Sequence, residues 1–304
     1  MAGSKKTLHH TVERLEKLLP MKNLGFPKMF TGVRIKRTDQ GLHLDQSLFT
    51  EKILEMYGME NAKGLDSPTS TVRLVPEGEP LDQKVPYRSA VGCLIWLAIN
   101  TRPDISYAVS QVARFSSSPT KDHWKAVKHI LRYLRGTSDL GIQVEKTENF
   151  VLQGFTDSDF AGDLSTRRSH GGFMFKLGST IIQWKSTQLK SVCLSSTESE
   201  FVFLSMAIQE AIYLLKICKN GFSLEVTTPV IFTDSQGAQG LATTPKISEA
   251  SKHIATRYLM AKDNVDKKIV QVKYLKTECM PADLYTKPLG RTRFLQLRKL
   301  LEMK

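Results

Sequence analysis

The sequence predicts an α/β chain in which a mixed sheet with helices on its faces follows a mainly helical region. Three observations carry this expectation. From about Phe150 onward, three strand-like stretches are followed by helix, strand, helix, strand and helix, the order of a mixed sheet covered by helices. Before that point most apolar stretches have helical period. Apolar residues make up 41% of the chain and 19 glycines add to them, which reaches the roughly 45–50% of ordinary globular domains and is enough for a core. At 304 residues, with a usual domain size of about 150 residues, two domains are expected, divided as 1–146 and 147–304.

In chain order, Thr7 to Leu19 has the pattern of a short amphipathic helix. Phe30 to Ile35 and Leu42 to Leu44 alternate as two short strands that turn at Asp39-Gln40-Gly41. Ser47 to Tyr57 reads as a helix stopped by Gly58. Gly64 to Pro86 contains Pro68, Pro76, Pro80 and Pro86, so it is expected to be an irregular surface connector, long for a loop within a compact domain.

Three helices follow. Tyr87 to Asn100 is strongly apolar, Pro103 suits the first turn of Asp104 to Phe115, and Ser118-Pro119 can start a helix ending at Gly136. In the last of these, Trp124, Val127, Leu131 and Leu134 share helical spacing, while Lys121, Lys125, Lys128, Arg132 and Arg135 fill other faces. That basic surface is either a solvated face or a nucleic-acid track.

The second half opens with strands at Phe150 to Thr156, Gly171 to Leu177, and Thr180 to Trp184 continuing to Leu194, with Gly178-Ser179 as the turn between the last two. Thr197 to Cys218 is a long helix, apolar on most faces and therefore buried. A strand at Val230 to Thr233, helices at Gln236 to Ala242 and Ser251 to Val265, a strand at Ile269 to Leu275 and a terminal helical region complete the chain.

Charge and cysteine usage narrow the function. Lys and Arg number 43 against 30 Asp and Glu, a net +13, so a polyanion is the first partner to expect. Cys93, Cys193, Cys218 and Cys279 form no CxxC pair, so neither a disulfide framework nor a structural zinc site is suggested. The longest apolar run, Val91 to Ile99, is about half of what crosses a bilayer, and Met1 to Lys6 is followed by His9, His10 and Glu13 instead of a signal core. An intracellular site, cytoplasmic or nuclear, with no membrane partner is expected.

The informative acids are those that interrupt apolar elements. Asp157 ends the first strand of the second half, Glu200 lies in the first turns of the long helix, Asp234 ends the fourth strand, and Asp283 precedes the terminal helix. Singly, each aspartate suits a turn or cap; four carboxylates brought to one sheet edge need a cation. Hard divalent ions take such oxygen ligands, and a pair of them supports in-line phosphodiester hydrolysis. Ser195-Ser196-Thr197-Glu198 is a capping box in which Glu198 turns back to the cap amide. Glu200, about 200° further round the helix, is therefore the better ligand. Asp159 and Asp163 read as solvated loop acids or secondary ligands, and Arg167 and Arg168 as a phosphate clamp or a solvated pair.

These residues carry a resemblance. Met21-Lys22-Asn23-Leu24-Gly25, Tyr87-Arg88-Ser89-Ala90-Val91-Gly92, Thr101-Arg102-Pro103-Asp104-Ile105 and Leu131-Arg132-Tyr133-Leu134-Arg135-Gly136-Thr137 are followed by the Asp157 strand. Leu194-Ser195-Ser196-Thr197-Glu198-Ser199-Glu200-Phe201, Ser251-Lys252-His253-Ile254 and Ala282-Asp283-Leu284-Tyr285-Thr286-Lys287 complete the series. In this order they resemble the C-terminal part of copia-type retrotransposon Pol polyproteins: the end of the reverse transcriptase, its connection and a ribonuclease H domain. The resemblance implies a ribonuclease H-like, mixed five-stranded sheet after a helical connection region. It further implies cleavage of the RNA strand of an RNA/DNA hybrid with two Mg2+ ions, Mn2+ being an alternative, held by Asp157, Glu200, Asp234 and Asp283. Other retroelement proteins are further candidate partners.

The chain departs from the family in places. No Asp-Asp dipeptide occurs, so the Tyr-x-Asp-Asp polymerase motif is missing and polymerisation is not expected of this chain. Ala255, Leu259 and Phe203 stand where the family usually has Asp, His and a small Ala. Phe203 is expected to strain helix packing if buried, and His253 reads either as a substrate residue or as a helix-surface histidine. A nuclease and a catalytically inactive remnant that binds nucleic acid or element proteins are the two functional expectations.

Overall fold

The computed structural model describes residues 5–22, 24–70, 72–147, 149–243 and 255–304. The run Ser251 to Ile254, with His253, lies outside the described residues. Helix α1 (Lys5–Leu18) leads into a small antiparallel sheet of β1 (Met29–Phe30), β2 (Val33–Thr38), β3 (Gly41–Asp45) and β4 (Ile142–Glu145). Strand β4 is absent from the sequence pattern, because four residues carry too little alternation to register. Pairing with β3 creates it, with Leu42 opposite Val144, and Met303 bridges Ile142 on its other side.

Helices α2 (Ser47–Met56), α3 (Tyr87–Asn100), α4 (Ser106–Ala113, preceded by a 3-10 turn at Pro103–Ile105) and α5 (Lys121–Arg135) follow, and the connector from Gly64 to Pro86 contains no helix or extended strand in its described residues. Helix α5 starts later than Ser118-Pro119 suggests. Its cap is Thr120: the Thr120 hydroxyl accepts from the His123 amide, while the Thr120 amide donates to His123 Nδ1 at 2.9 Å. A histidine here does the work usually given to Glu or Gln in a capping box. Pro119 is held outside the helix because its carbonyl accepts from Leu81 N.

The basic surface of α5 is partly used within the molecule. Arg132 Nε donates to Lys63 O and Arg135 Nε to Glu60 O, which pins the start of the connector. Two segments of the resemblance also meet. Arg102 and Asp104, both fully buried, form an ion pair; Arg102 donates to Thr137 O and Oγ1, and Tyr133 OH donates to Asp104 at 2.6 Å. A buried pair is tolerable only when its remaining hydrogen-bonding positions are filled, and here the second segment fills them.

The second sheet has the order β7-β6-β5-β8-β9, formed by β5 (Leu152–Asp159), β6 (His170–Leu177), β7 (Thr180–Gln188), β8 (Val230–Thr233) and β9 (Gln271–Tyr274). The pairs β7/β6 and β6/β5 are antiparallel; β5/β8 and β8/β9 are parallel. This is the mixed five-stranded sheet that was expected, except that β7 ends at Gln188 and not at Leu194. Helix α6 (Ser196–Lys216) passes into a π-turn at Ile217–Gly221, and α7 (Gln236–Thr243), α8 (Ala255–Asp266) and α9 (Arg291–Leu300) follow. Through Gly221, α6 is long and apolar enough to span a membrane, yet over half of that stretch is buried within the protein, as befits a core helix.

Both faces of this sheet are covered. Phe173 and Phe175 of β6 pack with α6, α7 and α8, whereas Met174 between them packs in the core of α2 to α5. That second core also takes Leu284, Tyr285, Phe294, Leu297 and Leu301, so residues from both ends of the chain fill one interior.

Candidate metal centre and nucleic-acid site

The site forms where parallel strands β5 and β8 end together. Thr156 is paired with Thr233, so the next residue on each strand, Asp157 and Asp234, emerges side by side at the strand spacing of about 4.8 Å. Helix α6 supplies the third acid. Its cap Ser195 accepts from Glu198 N at 3.1 Å, and Glu198 turns back to accept from Leu194 N at 2.6 Å. The capping carboxylate thus serves the amide before the cap, a shift of one residue from the expected partner. Glu200 faces the strands, where its Oε1 accepts from Ser158 N at 3.3 Å. One oxygen each from Asp157, Glu200 and Asp234 lies within 4.8 Å of the other two.

Two glycines permit this convergence. A Cβ on Gly237 would sit 2.9 Å from the Thr197 side chain, so its absence lets α7 approach the first turn of α6. Gly172, opposite Asp157 on β6, leaves room for Tyr285; a Cβ there would lie 2.1 Å from Lys185 O and 2.7 Å from Tyr285 Cβ. The segment carrying Asp283 is therefore laid directly on the strand that carries Asp157.

Asp283 does not join the group of three. It lies in the 3-10 turn Pro281–Tyr285, nearly fully buried, with Oδ2 accepting from Arg293 at 3.0 Å and Oδ1 at 2.8 Å from Lys287 Nζ. Lys287 Nζ is also 3.4 Å from Asp157 Oδ2, to which Thr286 Oγ1 donates. On the far side, Thr277 Oγ1 donates to Asp234 Oδ2 at 2.8 Å, and Arg293 holds the Thr277 and Glu278 carbonyls. Thr277, Thr286, Lys287 and Arg293 escaped the sequence reading. Thr286 and Lys287 stand in the segment quoted for the resemblance, but only the fold shows that they reach Asp157.

Burial raises the Asp157 carboxyl pKa well above the usual range, with Lys287 opposing and Asp283 adding to the rise. Burial and then the charges of Asp157 and Asp234 raise that of Glu200 further. Burial opposes the Lys287 charge, but Asp157 and Asp283 outweigh it and raise its pKa. Glu200 Oε2 is buried without a hydrogen-bond partner. Clustered oxygen donors, a buried oxygen left over and carboxyls that are hard to ionise fit a hard divalent cation.

The neighbouring residues are placed differently from expectation. Asp163 is not solvated: it is buried, paired with Arg114, and accepts from Ser165, Thr166 and Gln188, ordering the turn after β5. Asp159 pairs with Arg73 at 2.8 Å, and Arg167 and Arg168 are exposed. Phe203 is fully buried without crowding, because Gly171 offers it a place a Cβ would occupy at 2.4 Å. Leu259 is exposed on α8.

A mixed sheet in this order, with acids at the ends of its central strands and on the helix that follows, is the ribonuclease H-like fold that the resemblance implies. No family model matches the chain. It is 36% identical over 299 residues to the retrovirus-related Pol polyprotein from transposon TNT 1-94 of Nicotiana tabacum, a match covering 95% of this chain and 22% of that protein. It is 38% identical over 216 residues to the uncharacterized mitochondrial protein AtMg00810 of Arabidopsis thaliana, covering 69% of this chain and 88% of that one. Among solved structures it is similar to the N-terminal ribonuclease H domain of a Mycobacterium tuberculosis protein, with a TM-score of 0.35, 11% identity, and coverage of 50% of this chain and 98% of that one. Over about 95% of its length the chain is homologous to retrovirus-related Pol polyproteins of plant transposons, and it spans about a fifth of the length of those relatives.

Proposed function

We propose that the chain is a ribonuclease H-type endonuclease, which hydrolyses the RNA strand of an RNA/DNA hybrid by two-metal catalysis. The observation that carries this reading is the meeting of Asp157, Glu200 and Asp234 around a buried, unpartnered Glu200 oxygen, with Asp283 joined to Asp157 through Lys287. Asp157, Glu200 and Asp234 would hold one divalent ion, and Asp157 and Asp283 are the acids that would serve a second. Divalent ions there would supply a water of lowered pKa and would offset charge on a phosphodiester. Attack of water at phosphorus breaks the bond to the 3′ oxygen, leaving a 5′-phosphate and a 3′-hydroxyl. The carboxylates fix the positions of the charges, Thr277 and Thr286 orient Asp234 and Asp157, and the net +13 favours a polyanionic duplex. Strand choice rests on backbone shape and 2′-hydroxyl contacts, with little reading of bases.

The test is cleavage of a labelled RNA/DNA hybrid with Mg2+ by the full chain, by Asp157→Asn and in EDTA. Cleavage that both changes abolish supports the nuclease. A folded chain that binds the hybrid and leaves it intact is the inactive remnant.

A further inference from the structure

The segment that leaves β5 and turns into β6 carries Asp159, Asp163, Arg167 and Arg168 as its charged residues. Taken alone it is electrically neutral, and its two carboxylates could pair with its own two guanidiniums. The first half of the chain prevents this. Arg73 of the connector pairs with Asp159 at 2.8 Å and donates to Gly162 O, while Arg114 of α4 pairs with the buried Asp163. The approach of Arg73 depends on a glycine: a Cβ on Gly162 would lie 2.7 Å from Arg73 Nη1 and 2.1 Å from Asp159 Oδ2.

The connector is fastened on both sides of Arg73. His129 Nε2 bonds Ser67 O at 3.1 Å, and His123 Nε2 donates to Val75 O at 3.0 Å, since His123 Nδ1 already accepts from Thr120 N. With both acids of the turn answered from outside it, Arg167 and Arg168 are exposed, and no carboxylate pairs with either among the described residues. Arg167 is held in the left-handed region, at φ 55°, by its amide, which donates to Asp163 O at 2.8 Å. Two adjacent free guanidiniums, beside the strand end that carries Asp157, offer a phosphodiester backbone the charged, forked donors that suit its oxygens.

We propose that Arg167 and Arg168 are phosphate contacts for the nucleic-acid backbone, and that Arg73 and Arg114 keep them free for it by occupying Asp159 and Asp163. The first half thereby converts a neutral turn of the second half into a cationic one. The proposal rests on the ribonuclease H reading for its duplex and adds the surface that the duplex backbone meets beside the carboxylates. Arg73 is a positioning residue, which acts through Asp159 and touches no substrate.

The experiment measures binding of a labelled RNA/DNA hybrid to the full chain in EDTA, where cleavage does not intervene, over a series of salt concentrations. Replacing Arg167 and Arg168 together by Ala is expected to weaken binding roughly tenfold and to lower the salt slope by about 1 to 2. Arg73→Ala is expected to do nearly the same, and adding Asp159→Asn to it to restore both affinity, to within about threefold, and slope. An Arg73→Ala loss that Asp159→Asn does not restore overturns the proposal, because Arg73 would then meet phosphate itself or serve stability alone. Wild-type affinity in a chain lacking Arg167 and Arg168 also overturns it. A folded wild-type chain that binds no hybrid overturns both this proposal and the nuclease reading. One that binds in the expected pattern but leaves the hybrid intact in Mg2+ supports the proposal and overturns the nuclease reading. Should Arg73→Ala not fold, Arg73→Gln, which keeps a donor for Gly162 O, takes its place with the same expectations.

Discussion

At the scale of single residues, buried titratable groups act on stability in opposite directions. The Glu200 carboxyl is raised in the folded chain, so between the ordinary carboxyl pKa and that raised value the folded state holds a proton the unfolded state has lost. Stability without metal accordingly falls as pH rises through this window. Glu200→Gln is expected to stabilise the chain in EDTA by roughly 1–3 kcal/mol near pH 8 and by little near pH 4.5, measured by urea denaturation. An equal gain at both values would contradict this. His170 works the other way: burial first, then Arg114 and Arg73, lowers its pKa to about 3. The unfolded state takes up that proton first, so stability drops as pH falls from about 6.5 towards 3. Replacing His170 by Gln, which can keep a bond to Ser186, is expected to flatten the acid side of the stability profile while leaving the alkaline side unchanged.

At the scale of elements, cap and glycine chemistry decide where the site residues stand. Thr120→Ala removes the cap of α5 and is expected to cost about 1 kcal/mol, seen as a lower urea midpoint at unchanged slope. Gly172→Ala must displace either Lys185 O or Tyr285 and is expected to weaken Mn2+ binding as well as stability, by about 2–4 kcal/mol in the latter. Gly240→Ala is the control: its Cβ meets nothing within 4 Å, and on α7 the change is expected to be neutral or to stabilise by up to about 1 kcal/mol. If both variants behaved alike, close packing at Gly172 would not be what places Asp283.

Much at this scale was legible in the sequence. Tyr87–Asn100 and Val230–Thr233 follow directly from periodicity and length, and the capping box before Glu200 separated it from Glu198. What periodicity could not show depends on distant partners. Strand β4 exists because β3 lies beside it, and Asp163 is buried because Arg114 of α4 reaches it. Lys287 looks like an ordinary surface lysine until Gly172 admits the segment that carries it.

For the whole molecule, the decisive feature is the interior shared by α3, α4, α5 and α9. Phe294, Leu297 and Leu301 complete a core begun by residues two hundred positions earlier, and Arg298 donates to Tyr133 OH, itself bonded to the buried Asp104. Leu297→Ala should therefore destabilise the first half as well as the second, by about 2–4 kcal/mol. Hydrogen exchange read on α3 and on β5 should show both opening together. Faster exchange on β5 alone would mean that the two halves are energetically separate.

That shared interior also sets a timetable for synthesis. A ribosome delivers α3 to α5 well before the residues at 291–301, so while the intervening residues are made the early helices expose the apolar surface that Phe294 and Leu297 will cover. The nascent first half is then a client for holding factors until α9 emerges, and arrested chains lacking 291–301 should be cut by protease within the connector from Gly64 to Pro86.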